Sequence, residues 1–86
     1  METKKNIPEH SLDHLPIGKS TVVTDLNAHG IQRHRMMDLG LIKGAPIEAL
    51  HKSPCGDPTA YNIMGAVIAL RKEDAKKIII KDVFER

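Results

Sequence analysis

The chain has 86 residues, of which 41% are hydrophobic and 28% are charged, with 13 Lys and Arg against 11 Asp and Glu. A chain of this length forms one small domain with a limited core, so a deep active-site cleft is not expected. Its net charge of +2 is too small to indicate a dedicated nucleic-acid binder. The aromatic residues are Tyr61 and Phe84, which excludes binding modules that stack peptides or single strands on aromatic rows.

The sequence also indicates the compartment. Cys55 is the single cysteine, so an intrachain disulfide is excluded and a reducing environment is favoured. No apolar run approaches the roughly 20 residues that span a bilayer. The charged N-terminus is not followed by the apolar stretch of a signal peptide. A cytoplasmic protein without its own membrane span is therefore predicted.

In chain order, residues 1–10 are predicted to form a polar N-terminal arm, and residues 11–86 a single domain. Ser11 is placed to cap one helical turn that Pro16 ends. A helix is predicted over residues 31–39, with Gly40 as a left-handed cap and Leu41 folding back on the last turn. The alternation of β-branched and apolar residues predicts five strands, at 20–26, 47–52, 59–64, 67–71 and 78–80.

The connections complete the predicted architecture. Residues 53–58 are rich in turn formers and form a loop. Gly65 and Ala66 are expected to make a tight hairpin turn with Gly first. Residues 72–77 are polar and predict one helical turn. Five short strands with one inserted helix predict a mainly-β fold, a small and partly closed five-stranded barrel.

Gly18-Lys19-Ser20-Thr21 is similar to the end of a phosphate-binding loop. That motif needs a glycine five positions before Gly18, where Asp13 stands, and a helix directly afterwards. A strand is predicted instead, so we interpret the segment as a turn that opens a strand.

Five histidines raise the question of a metal site. His51 ends a predicted strand, and Cys55 in the following loop lies near enough in sequence to converge with it. A closed site normally needs four ligands with Cys or His in tight pairs, and the sequence has no such pair of pairs. Exposed histidines are the favoured interpretation, and a ferrous iron or zinc site at His51 and Cys55 is the alternative.

Catalysis is not predicted. Cys55 lies in a turn without the flanking signature of a nucleophile. The carboxylates of Asp13, Asp25, Asp38 and Asp57 are isolated, so no pair separates an acid from a base. We conclude from the sequence that the protein is not an enzyme. On the predicted helix, Met36 is expected to pack inward and Met37, about 100° away, to lean outward.

Four segments resemble the ferrous iron transport protein A family, in the order of that family. Residues 35–44 resemble its Arg-Leu-x-(Asp/Glu)-Leu-Gly-Leu-x-x-Gly stretch, with Met36 where the family usually has Leu. Residues 53–58 resemble its Pro-x-Gly-Asp-Pro loop, and residues 69–75 its Leu-Arg-x-x-(Asp/Glu)-Ala segment. Upstream, residues 11–18 resemble its opening Leu-x-x-Leu-x-x-Gly. The resemblance spans residues 12–80, nearly the whole chain.

This resemblance implies an SH3-like barrel and a cytosolic accessory to the ferrous iron permease that carries a GTPase domain. The protein would be peripheral to the membrane through that partner only, and would need no cofactor and no nucleic acid. The same barrel occurs in metal-dependent repressors of the diphtheria toxin repressor type. At 86 residues the chain has no room for the DNA-binding and dimerisation domains of such a repressor.

From these features we assign roles to individual residues. The expected exposed docking contacts are Arg33, Arg35, Met37 and Leu41. The residues expected to set backbone geometry are Gly40 and Gly44 at the helix exit and Pro54, Gly56, Asp57 and Pro58 in the loop. The second hypothesis is a transition-metal sensor or carrier that uses His51 and Cys55. The sequence leaves the oligomeric state open, a homo-oligomer included.

Overall fold

A computed structural model of the chain describes residues 9–81, which form six antiparallel strands, two short helices and a 3-10 turn at Leu12–His14. The strands are β1 (Glu9–Ser11), β2 (Ser20–Leu26), β3 (Pro46–Lys52), β4 (Thr59–Ile63), β5 (Ala66–Leu70) and β6 (Ile78–Lys81). The helices are α1 (Gly30–Asp38) and α2 (Lys72–Ala75). The sheet order is β1-β6-β2-β3-β4-β5.

Strand β2 joins the two halves of the sheet. Its first residues pair with β3, where Ser20 lies opposite Glu48, and its last residues pair with β6, where Leu26 lies opposite Ile78. The register shifts between Val23 and Asp25, which lets one strand bend from one half to the other. The β-branched run in β2 suits this partly buried position.

The fold is mainly β, as predicted, but the five-stranded barrel is corrected in two respects. The sheet has six strands, and its outer strands β1 and β5 do not pair with each other within residues 9–81, so it is not closed there. The extra strand, Glu9–Ser11, pairs with β6. The polar side chains of this segment do not predict a strand. The hydrogen bonds that pair it with β6 are made by backbone groups, which do not depend on the side chains. Glu9 and His10 of the expected polar arm thus belong to this strand, and residues 1–8 of that arm lie outside the described residues.

The hairpin between β4 and β5 is shifted by one residue from the prediction. Its two central residues are Met64 and Gly65, with φ of +52° and +94°, and β5 begins at Ala66 instead of Val67. Positive φ at both central residues is typical of the type I′ turn, whose twist matches that of the two paired strands. The side chain of Asn62 accepts a hydrogen bond from the Gly65 N–H at 2.9 Å, which supports this unusual position for Met64.

The core is aliphatic, as the scarcity of aromatic residues predicted. It draws on every strand from β2 to β6, on both helices and on the 3-10 turn. Its largest fully buried side chains are Leu12, Val23, Leu41, Ile47, Ile63, Ile78 and Ile80. Tyr61 is the aromatic member of this core.

Tyr61 should make stability depend on alkaline pH. Burial raises the pKa of its phenol above the ordinary value of 10.0, and Asp13 and Asp57 raise it further, whereas a hydrogen bond with Thr59 lowers it. The unfolded chain therefore loses the phenolic proton at lower pH than the folded chain. This contribution to stability is complete below the unfolded pKa and is lost as pH rises towards the folded pKa.

We predict that the free energy of unfolding of the wild type falls more steeply from about pH 8 to about pH 11 than that of Tyr61→Phe. Urea unfolding at a series of pH values measures both. The phenylalanine variant keeps the ring and all other titrating groups, so the difference isolates the phenol. Parallel pH profiles for the two proteins would contradict the prediction.

Candidate functional site

The backbone at the C-terminal end of α1 positions the residues that were predicted as docking contacts. The Gly40 N–H donates to the Met37 carbonyl and the Leu41 N–H to the Met36 carbonyl, both at 3.0 Å. Gly40 has a φ of +99°, a left-handed conformation that glycine adopts without steric cost. This pattern is a Schellman cap, in which the residue after the glycine turns its side chain back on the helix.

A second glycine attaches the helix exit to the sheet. The Gly44 N–H donates to the Val23 carbonyl at 2.6 Å, and the Val23 N–H donates to the Ala45 carbonyl at 2.9 Å. Gly44 has a φ of +88°. The segment after α1 is therefore held along the middle of β2, and α1 is placed by backbone contacts at its end.

The residues predicted as docking contacts differ in their solvent exposure. Met36 is buried and Met37 is 43% exposed, in agreement with the helical spacing. Leu41, expected on the surface, is 0% exposed, so its expected exposure is wrong. The physical reason is the cap itself, because the residue that follows the left-handed glycine packs its side chain on the last helical turn.

Met37 borders a surface pocket that we call the Met37 pocket. It lies between α1 and the end of β2, above the buried Leu41, and its other lining residues include Asp25, Leu26, Arg33 and Ile42. The Arg33 guanidinium donates to the Leu26 carbonyl at 2.9 Å. The pocket thus combines an apolar floor with an arginine that is exposed yet held in place.

Arg35 lies on the other side of α1. It borders a groove between α1 and β5, together with Leu39 and Ile68. Successive helical residues are about 100° apart, so residues two apart point in nearly opposite directions. The structure therefore brings Arg33, Met37 and Leu41 together and separates Arg35 from them, which helical spacing alone could have indicated.

The loop of residues 53–58 is braced from within and against α2. The Ser53 N–H donates to the Pro58 carbonyl at 3.0 Å, and the Gly56 N–H donates to the Ser53 carbonyl at 2.8 Å. The Asp57 carboxylate accepts a hydrogen bond from the Lys72 N–H, the first of α2, at 2.8 Å. Two segments that resembled the family separately are thus one structural unit.

The candidate metal ligands are not gathered into a larger group. His51 and Cys55 are both exposed. Among residues 9–81, no set of three or more His, Cys, Asp and Glu side chains is arranged to hold a metal ion. In the same residues, no helix has the length and apolar character needed to cross a membrane.

The segment similar to a phosphate-binding loop is part of the sheet. The Gly18 N–H donates to the Ala49 carbonyl at 2.7 Å, and the Ala49 N–H donates to the Lys19 carbonyl at 3.1 Å. Strand β2 follows directly. These backbone groups are engaged by β3, which agrees with the interpretation of a turn that opens a strand.

Comparison with known proteins decides the family. Residues 10–82 match the family model of the FeoA domain. The chain belongs to the FeoA family. A fusion of Fe(2+) transport protein A with the Fe(2+) transporter FeoB, from Porphyromonas gingivalis, is 33% identical over 70 residues, which are 81% of this chain and 8% of that protein. The chain thus spans a small part of that relative.

Solved structures of FeoA proteins share the fold. The FeoA protein of Chlorobium tepidum is 34% identical, with a TM-score of 0.78 over 85% of this chain and 70% of that one. A Stenotrophomonas maltophilia FeoA, determined in complex with zinc and described as a prokaryotic SH3 domain protein, is 28% identical. Its TM-score is 0.73 over 83% of this chain and 88% of that one. The fold of residues 9–81 is therefore similar to that of these FeoA proteins, one of which is described as SH3-like.

Proposed function

We propose that this FeoA chain is a non-catalytic accessory of ferrous iron uptake that docks on the cytoplasmic region of a FeoB-type permease. The observation that carries the proposal is the Porphyromonas gingivalis fusion, in which a related FeoA sequence and the transporter FeoB form one chain. Covalent fusion keeps two modules at high effective concentration. The same association between separate chains needs a surface on FeoA that binds the permease.

The Met37 pocket has the physical features of such a surface. Met37 and Ile42 are both 43% exposed beside the apolar floor, and methionine adapts its shape to a partner. The fixed guanidinium of Arg33 and the carboxylate of Asp25 add polar groups at the rim. An apolar centre with a polar rim is typical of protein interfaces.

A pull-down with the soluble cytoplasmic domain of the permease tests the proposal. We predict that Met37→Asp lowers retention at least about tenfold, because a carboxylate in an apolar interface loses hydration without gaining a partner. The matched control is Ile31→Asp, the same charge change on the same helix at a side chain that is 77% exposed. It should bind like the wild type. Unchanged retention of Met37→Asp, or equal loss in both variants, would contradict the role of the Met37 pocket.

The metal-binding hypothesis remains the second candidate. It is supported by the zinc complex of the Stenotrophomonas maltophilia relative. In this chain it would use His51 and Cys55, with exposed ligands of the kind that bind ferrous iron or zinc. Two protein ligands make an open site, so this proposal is weaker than docking.

A further inference from the structure

Strand β5 is an apolar edge of the sheet. Among residues 9–81 it ends the strand order, and its sequence, AVIAL, has no charged residue and no proline. Val67 is 67% exposed. Natural sheets usually protect exposed edges with lysine, proline, a bulge or a covering segment, since an unprotected edge pairs with other strands.

The register of the hairpin shows which backbone groups face outward. A two-residue loop is closed by a hydrogen-bonded pair, here Ile63 and Ala66. Pairs alternate along an antiparallel ladder between hydrogen-bonded and non-bonded. Ile68 and Leu70 therefore bond to β4, and Val67 and Ala69 direct their N–H and C=O groups away from it.

A groove runs beside this edge. We call it the edge groove; Met36 of α1 and the C-cap residue Leu39 line one side, and Ile68 and Leu70 of β5 line the other. An extended chain that paired with Val67 and Ala69 would place alternate side chains into this groove.

The charges of the edge groove favour an acidic occupant. The Asp74 carboxylate accepts a hydrogen bond from the Gln32 amide at 3.2 Å, and the Gln32 oxygen accepts one from the Lys77 ammonium at 3.0 Å. The Arg35 side chain, which lines the groove, makes no hydrogen bond or ion pair with the described part of the chain. Gln32 thus bridges Asp74 to Lys77, whose positive charge offsets that of Asp74, and the Arg35 guanidinium is left as the group that can pair with an acidic occupant.

We propose that the β5 edge accepts, as a seventh strand, an extended segment of a partner whose groove-facing residues are apolar and include one carboxylate directed at Arg35. Strand addition of this kind takes affinity from backbone hydrogen bonds and specificity from side-chain pockets. A second copy of this chain that paired through its own β5 would offer no carboxylate, because β5 contains none. The edge groove and the Met37 pocket lie on opposite sides of α1, so this inference does not rest on docking to the permease.

Amide-resolved NMR with a synthetic peptide tests this inference. The probe is a capped heptapeptide, Thr-Val-Thr-Val-Thr-Glu-Thr, in which the two valines and the glutamate share one face. Its control has lysine in place of glutamate. We expect saturable shifts confined to β5 and to the residues of the edge groove, with the lysine peptide bound about fivefold more weakly.

Two variants distinguish the parts of the proposal. Arg35→Glu should reverse the preference, so that the lysine peptide binds more tightly than the glutamate peptide. Ala69→Pro removes an outward N–H without removing a bond to β4, and should weaken both peptides at least about fivefold while the amide signals of β4 keep their positions.

Three results would overturn the proposal. They are shifts outside β5 and the edge groove, no shifts at about 2 mM of the glutamate peptide, and self-association through β5 that excludes the peptide. The peptides carry no permease sequence, so none of these results bears on the pull-down with the permease domain.

Discussion

Leu41→Ala is expected to lower the free energy of unfolding by about 2–5 kcal/mol, the range for truncating a fully buried leucine. Leu41 is 0% exposed and belongs to the core, so its removal leaves a cavity under the last turn of α1. The total for a domain of this size is about 4–13 kcal/mol, from about 0.05–0.15 kcal/mol per residue. One side chain would thus carry a large share of the stability.

The matched control is the neighbouring residue. Ile42→Ala removes an apolar side chain of similar size from a position that is 43% exposed, and should cost about 1 kcal/mol or less. Urea unfolding of both variants gives the comparison. The free energy of unfolding is fitted with one shared slope against urea concentration. Equal destabilisation by the two substitutions would show that Leu41 is not the anchor of the helix exit.

Asp57→Ala is expected to lower the free energy of unfolding by about 1 kcal/mol, the typical cost of losing a side-chain cap of a helix. The Asp57 carboxylate accepts the first N–H of α2, and Arg71, at the usual capping position, makes no side-chain bond of this kind. A short helix depends on such contacts because it has few internal hydrogen bonds. The loop of residues 53–58 and α2 should therefore loosen together.

Asp57→Asn separates the hydrogen bond from the charge. Its side-chain oxygen can still accept the Lys72 N–H, so most of the stability should be retained, with a loss of about 0.5 kcal/mol from the missing charge near the helix start. Hydrogen exchange of the Lys72 amide should be slow in the wild type, intermediate in Asp57→Asn and fast in Asp57→Ala. A Lys72 amide that exchanges at the same rate in all three proteins would contradict the capping role.

Much of the fold could be predicted from local chemistry. The β-branched run of β2 gave its bounds, Ser20–Leu26. Gly40 marked the end of α1, because a left-handed residue is needed there. These features depend on neighbours in sequence, which is where propensities and patterns are informative.

The differences between the predicted fold and the structure come from pairing between segments that are distant in sequence, and from one local rule that was not applied. Strand β1 exists because β6 offers a free backbone edge, which no pattern in Glu9–Ser11 reveals. Met64 adopts a positive φ in a turn where the Asn62 side chain accepts the Gly65 N–H, against the preference of the turn for glycine or asparagine. The burial of Leu41 was available from the capping rule, and its prediction as an exposed contact was wrong for that reason.

The candidate site shows the same division. Spacing along α1 was enough to place Met37 outward, and it could also have separated Arg33 from Arg35. The bond from the Arg33 guanidinium to the Leu26 carbonyl and the contact of Asp57 with α2 join segments that only the tertiary fold brings together. The edge groove likewise depends on the approach of α1 to β5.

Uptake of labelled ferrous iron is the most direct test of the proposed function. It would be measured in cells that lack this chain but keep their permease, and that express the wild type, Met37→Asp or Ile31→Asp at equal protein levels. We expect the wild type and Ile31→Asp to restore uptake, and Met37→Asp to leave it at the level of the deletion strain. Full restoration by Met37→Asp, or uptake that does not change when the chain is absent, would contradict the proposal that this chain supports ferrous iron uptake through the Met37 pocket.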